Sequence, residues 1–167
     1  MSINRFSTLT VATGLFCGLA TDAFGQSDVL SLDVDRRTGE TQIINRFSAT
    51  VQMNGYSIQS PASSLDPAGW LSLEQQGIDG WQEVGTVDVS LLAELNPTSN
   101  STLMPFDSLN LGMAYNPLAG AEDLFFEYVD LNEPGVVLRG SVEYVPEPSA
   151  TMLTILGVCG AAALRFR

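Results

Sequence analysis

The stretch EDLFFEYVDLNEPGVVLRGSVEYV, residues 122–145, constrains this chain most. Leu124, Phe126 and Tyr128 alternate with Phe125, Glu127 and Val129, a period of two that sends one set to each face of a strand. Asn132-Glu133-Pro134-Gly135 then supplies turn chemistry, and a second strand-like run follows. The same grammar recurs upstream. SDVLSLDVDRRTGETQIINR predicts a hairpin with Leu30, Leu32 and Val34 inward, Ser31, Asp33 and Asp35 toward solvent, and Gly39 at the turn. FSATVQMNGYSIQS predicts two short strands around an Asn54-Gly55 turn, with Tyr56 and Ile58 on one face. WQEVGTVDVSLLAEL holds another strand, and NPTSNSTLMP is a polar loop with a glycosylation-type pattern at Asn100. DSLNLGMAY is a strand with Leu109, Leu111 and Met113 in phase. Only residues 61–77 read as helix, with Ser64 or Asp66 as cap, Pro67 at the first position and Gly77 as the stop. The expected class is all-β: an antiparallel, Ig-like β-sandwich of residues 26–145 with one short helix.

Both ends read as transport segments rather than as parts of that domain. Residues 1–25 form a signal peptide: Arg5 gives the basic start, residues 9–20 the apolar run, and Ala23 and Gly25 the small residues before a cut at Gln26. Signal peptidase and the Sec machinery are the partners this implies. At the other end, residues 150–164 carry no charge and precede Arg165 and Arg167. As a helix that run spans roughly 22 Å, short of the roughly 30 Å hydrocarbon core of a bilayer. It suits a transient transmembrane tether, with the arginines holding the cytoplasmic side. Pro146 and Pro148 favour an extended, protease-accessible backbone just before it.

Pro146-Glu147-Pro148 with Ser149, the apolar run 150–164, and Arg165 with Arg167 together resemble the bacterial PEP-CTERM sorting signal. The resemblance covers residues 146–167 and implies an exosortase, an integral membrane cysteine protease, as partner. It also implies removal of the tail and transfer to the cell surface or the exopolysaccharide matrix. Phe166 interrupts the basic end and Cys159 lies in the apolar run, neither of which breaks the pattern. LDVDRRTGETQIIN, GYSIQSPASSLDPAGWLSLEQQGIDGW and DSLNLG in turn resemble the Ig-like sandwich of lamin tail domains. That likeness concerns fold and carries no chemistry.

Charge and composition narrow the function classes. The chain has a formal charge of −12, and losing Asp22 with the leader and Arg5, Arg165 and Arg167 with the two ends takes it to about −14. No basic residue lies between Val51 and Leu138, so nucleic acid is not an expected partner. Cys17 and Cys159 both fall in the transport segments, which leaves the domain without a disulfide or a thiolate metal site. With no His and no Lys anywhere, the His-based nucleophilic systems, the usual zinc sites and Schiff-base catalysis are absent. No catalytic residue and no enzyme activity are expected. Asp33-Val34-Asp35 begins like a calcium loop but has Arg37 and Thr38 where a ligand and a glycine are needed.

The expectation is therefore an exported, exosortase-sorted surface or matrix protein with a structural or interaction role and no cofactor. The alternative is a binding module at the cell surface. Trp70 and Trp81 would supply a stacking platform for exopolysaccharide, or Glu122, Asp123, Asp130 and Glu133 would supply loop oxygens for calcium.

Overall fold

The computed structural model describes residues 26–133 and 135–145. The nine strands are β1 (Gln26–Asp35), β2 (Thr41–Asn45), β3 (Val51–Gln59), β4 (Gln82–Glu83), β5 (Leu91–Leu95), β6 (Ser101–Leu103), β7 (Ser108–Asn110), β8 (Phe125–Asp130) and β9 (Val137–Val145). They join in one curled sheet of order β4-β5-β3-β8-β9-β1-β2-β7, with β6 also paired to β3. Among the described residues the only helix is a 3-10 turn, Pro117–Ala119, capped by the Asn116 side chain. The all-β class stands.

Two expected hairpins form as read. β1 pairs antiparallel with β2, and β8 with β9, and Leu124, Phe126 and Tyr128 all turn inward. The expectation that every strand pair is antiparallel does not hold. β1 lies parallel to β9, matching Ser31–Asp35 to Ser141–Val145, while its other edge bonds β2. A strand paired on both edges carries the sheet onward as one curl rather than dividing it. For the same reason Ser31 and Asp33, expected toward solvent, are buried along with Leu30, Leu32 and Val34. The Ser31 hydroxyl donates to Asp33 at 2.9 Å, and Arg46 from the β2–β3 loop reaches the other carboxylate oxygen at 2.6 Å.

Asn54-Gly55 is no turn. It sits inside β3 at a bulge, where the register against β8 slips between Met53 and Gly55. Before the bulge Val51 and Met53 are buried; after it the inward pair is Tyr56 and Ile58. β5, β6 and β8 all bond to β3, so tertiary ladders on both edges override the local turn preference. Two further readings change for similar reasons. The polar loop after β5 contains β6, which pairs with the start of β3. Past β7, Gly112 adopts φ +67, which breaks the alternation and leaves Met113 exposed while Leu111 is buried.

Residues 61–77 form no α-helix. They run beside residues 111–115 through bridges Leu65↔Tyr115 and Trp70↔Gly112, separated by turns. Asp66 and Leu71 donate their N–H groups to Ala114 and Leu111, at 2.8 and 2.9 Å. Backbone groups committed to a neighbouring segment are not free for a helical ladder. The segment crosses the open side of the curl, and Leu65, Trp70 and Leu73 join Leu32, Ile58, Leu92 and Phe126 in one core.

Candidate functional site

Glu94, on β5, is 1 % exposed, and its partners are neutral donors rather than a cation. The carboxylate accepts the N–H groups of Leu73 and Glu74, each at 2.9 Å, and a short hydrogen bond from the Tyr56 hydroxyl. It therefore ties the crossing segment to β5 and β3 at a single point. Burial pushes its pKa above the usual carboxylate value, against the lowering effect of those three donors. Burial beside Glu94 in turn pushes the Tyr56 hydroxyl well above 10, so its proton stays available to donate. Glu83, on β4, adds a more exposed layer by accepting from the Ser72 hydroxyl and the Gln75 amide. The arrangement is a clasp, and its donors are spent on structure.

The aromatic side chains proposed from the sequence as a platform lie inside that clasp. Trp70 and Trp81 are each 3 % exposed, and Tyr56 and Tyr115 are buried as well. Trp81 donates its indole N–H to Ser101 at 2.9 Å and packs 5.9 Å from the Tyr56 ring centre. Neither indole offers a face to a sugar. These are core side chains.

The four loop carboxylates are not brought together either. Glu122 and Asp123 precede β8 and Asp130 and Glu133 end it, so the length of the strand, roughly 20 Å, separates the pairs. Each member of the first pair is engaged. Glu122 bridges to Arg36 at 2.8 Å, and Asp123 accepts from the Ser60 hydroxyl at 2.8 Å and from Ala62 N–H at 2.5 Å. Burial raises the Asp123 pKa, but the donors from Ala62, Ser60 and Ser64 outweigh it and leave the group below its ordinary value. Asp130 accepts from the backbone and side chain of Asn132, closing the turn after β8. Among the described residues no group of three or more metal-ligating side chains converges.

The outer face of the sheet carries one apolar hollow among polar side chains such as Glu127 and Arg139. A groove of about 310 Å³ crosses the outer face of β4, β5, β3, β8 and β9, with Gly55 as its floor and Val84, Leu95, Val129 and Val137 along its walls. Gly55 makes the hollow, since a Cβ there would stand 3.0 Å from a Leu95 methyl. On the same face Arg139 lies 4.5 Å over the Phe125 ring. A smaller hollow of about 210 Å³ lies among Asp33, Asp35, Glu40, Gln42 and Val145. Sequence reasoning missed the groove because its floor is the bulge it mistook for a turn; a glycine between two alternating runs was the available signal.

The remaining candidates fall outside the described residues: Ala23 and Gly25, expected before a signal cut, and Pro146, Glu147, Pro148, Ser149, Arg165 and Arg167, expected to form a sorting signal. Gln26 opens β1. No family model matches this chain, and no curated protein or solved structure does so either.

Proposed function

We propose that this is an exported protein sorted by an exosortase to the cell surface or extracellular matrix, where it acts without catalysis through its surfaces. The observation that carries the reading is the ordered set Pro146-Glu147-Pro148-Ser149, apolar residues 150–164, then Arg165 and Arg167, in a chain that opens with a leader. The tail would tether the protein to the inner membrane until clipping. Exopolysaccharide is the expected surrounding, and nucleic acid is disfavoured by the acidic field.

The Ig-like architecture belongs to the same proposal. What supports it is an all-β chain whose strands curl around one core. The alternative of a carbohydrate- or calcium-binding module keeps only the outer groove, because Trp70 and Trp81 are enclosed and the loop carboxylates lie apart.

Mass spectrometry of the protein recovered from envelope and medium tests the sorting reading directly. The expected species begins at Gln26 and ends near Glu147. Recovery with Arg167 still attached, from cells with an active exosortase, defeats it.

A further inference from the structure

β9 is nine residues long, but β8 covers only its first four. Val137–Gly140 pair with Phe126–Val129, and from Ser141 to Val145 the strand is held on its other edge alone, by Ser31–Asp35 of β1. Alternation fixes which backbone groups are left over. Val29 and Asp35 bond toward β2 and its flanks, so Leu30, Leu32 and Val34 turn to β9, where Ser141 and Glu143 meet them. Val142 and Tyr144 therefore point N–H and C=O at the open edge, while their side chains pack on the core. Among the described residues nothing bonds to their backbone on that side. The segment that would extend β8 along this edge is drawn away from it. Leu124 spends its N–H on the Tyr144 hydroxyl at 3.1 Å, Glu122 bridges to Arg36, and Asp123 accepts from Ser60 and Ala62. No proline, lysine or bulge blunts residues 141–145. A bare strand edge of this kind is a template for another strand.

We infer that this edge docks the protease that clips the tail: the enzyme adds an extended strand of its own along Val142 and Tyr144, directly upstream of the segment it cuts. The inference rests on the sorting proposed above and names the surface that sorting would use. Reach favours this occupant. Only residues 146–149 separate Val145 from the apolar run 150–164, and four residues span at most about 14 Å. A domain tethered by that run holds the end of β9 within this distance of it. An enzyme closing around Pro146-Glu147-Pro148 therefore meets β9 at the same time. The motif is also poor in backbone donors. Pro146 and Pro148 have no N–H, which leaves Glu147 and Ser149 alone to donate there. The free groups of Tyr144 and Val142 are the next along the chain, and pairing with them needs no particular side chain. A second copy fits the edge less well. Pairing 141–145 antiparallel with itself centres on Glu143 and sets like charges opposite each other. The edge takes no part in breaking the bond; it holds the strand that leads to it.

Clipping of the full chain in cells with an active exosortase tests it, read by mass spectrometry as the rate at which Arg167 is lost. Val142→Pro puts a ring in place of the free N–H and spares the β1 ladder, so the thermal midpoint stays close to that of the unaltered chain. Clipping slows by about tenfold, the worth of one or two backbone hydrogen bonds. A short Gly-Ser linker between Val145 and Pro146 leaves fold and motif whole but parts them, and it slows clipping as well. Clipping of either variant at the unaltered rate or faster overturns the inference and leaves the sorting reading standing. An unaltered chain that keeps Arg167 overturns both. A dimer of the unaltered chain that Val142→Pro dissolves without slowing clipping gives the edge to a second copy, and overturns the inference too.

Discussion

Glu94 and Asn45 do the same job at different places in the molecule, and they differ in one respect that matters. Each is a buried polar side chain that collects backbone groups from segments far apart in sequence. Glu94 gathers Leu73 and Glu74 under the cover of Trp70 and Trp81. Asn45 gathers Ala49, Leu103 and Met104 and leaves aromatic side chains outside. The first group is ionisable and the second is not. The clasp therefore responds to pH and faces inward, whereas the amide knot is indifferent to pH and leaves Phe47, Met104 and Phe106 exposed.

Removing each centre is the strongest way to break that comparison. Glu94→Ala leaves two backbone N–H groups and the Tyr56 hydroxyl buried without an acceptor, and should destabilise by about 3–5 kcal/mol in chemical denaturation. Asn45→Ala strands carbonyls nearer the surface, which water can partly satisfy, and should lose about 2 kcal/mol. An Asn45→Ala loss equal to or above that of Glu94→Ala would show that the knot, not the clasp, carries the fold.

The pH dependence sharpens the difference, and its sign is fixed. Burial raises the folded Glu94 pKa above 4.5, so the folded state holds that proton more firmly than the unfolded chain. The contribution is fully present below pH 4.5 and is lost as pH rises through the raised value. Glu94→Gln removes this fall, which melting midpoints across that window would show; Asn45→Ala keeps it. Asp35 and Asp123 act oppositely. Asp35 is held below 3.8 first by the Thr38 N–H and then by that of Arg37, and Asp123 by the donors that outweigh its burial. Their contribution is present above pH 3.8 and disappears as pH falls through the lowered values.

Smaller changes probe the rim of the knot. Arg46→Ala leaves the Asp33 carboxylate with Ser31 alone and should lose about 1 kcal/mol, measured in the same unfolding experiment. Phe106→Gly should be neutral or gain up to about 1 kcal/mol, because the backbone there already suits glycine. A clear loss would mean the ring stabilises its own fold.

Much of the fold was legible where a single strand pair settles it. Leu30, Leu32 and Val34, or Phe126 and Tyr128, repeat every second residue and need only one neighbouring strand to be buried. The reading failed where a second neighbour entered. Asn54-Gly55 has turn chemistry, and residues 61–77 have caps and a stop, yet both are conscripted by segments on either side. For Trp70 and Trp81 the sequence favoured the core in a domain this small but could not settle it, because an indole also suits a sugar platform. Asn45 and Phe106 gave no sign of their roles, since an amide's partners and a backbone dihedral arise only once the loops meet.

The amino-acid order by itself determined the all-β class, the acidic character, and the lack of His, of Lys and of cysteines within residues 26–145, all properties of composition or of neighbours along the chain. Tertiary structure alone decided that β1 joins β9 in parallel, that Asn54-Gly55 is a bulge, that the tryptophans are enclosed and that one pole carries exposed rings. The reason is physical. Side-chain period is a local property, but burial, register and charge pairing depend on which distant segment arrives, and the chain specifies that only through the energy of the whole assembly.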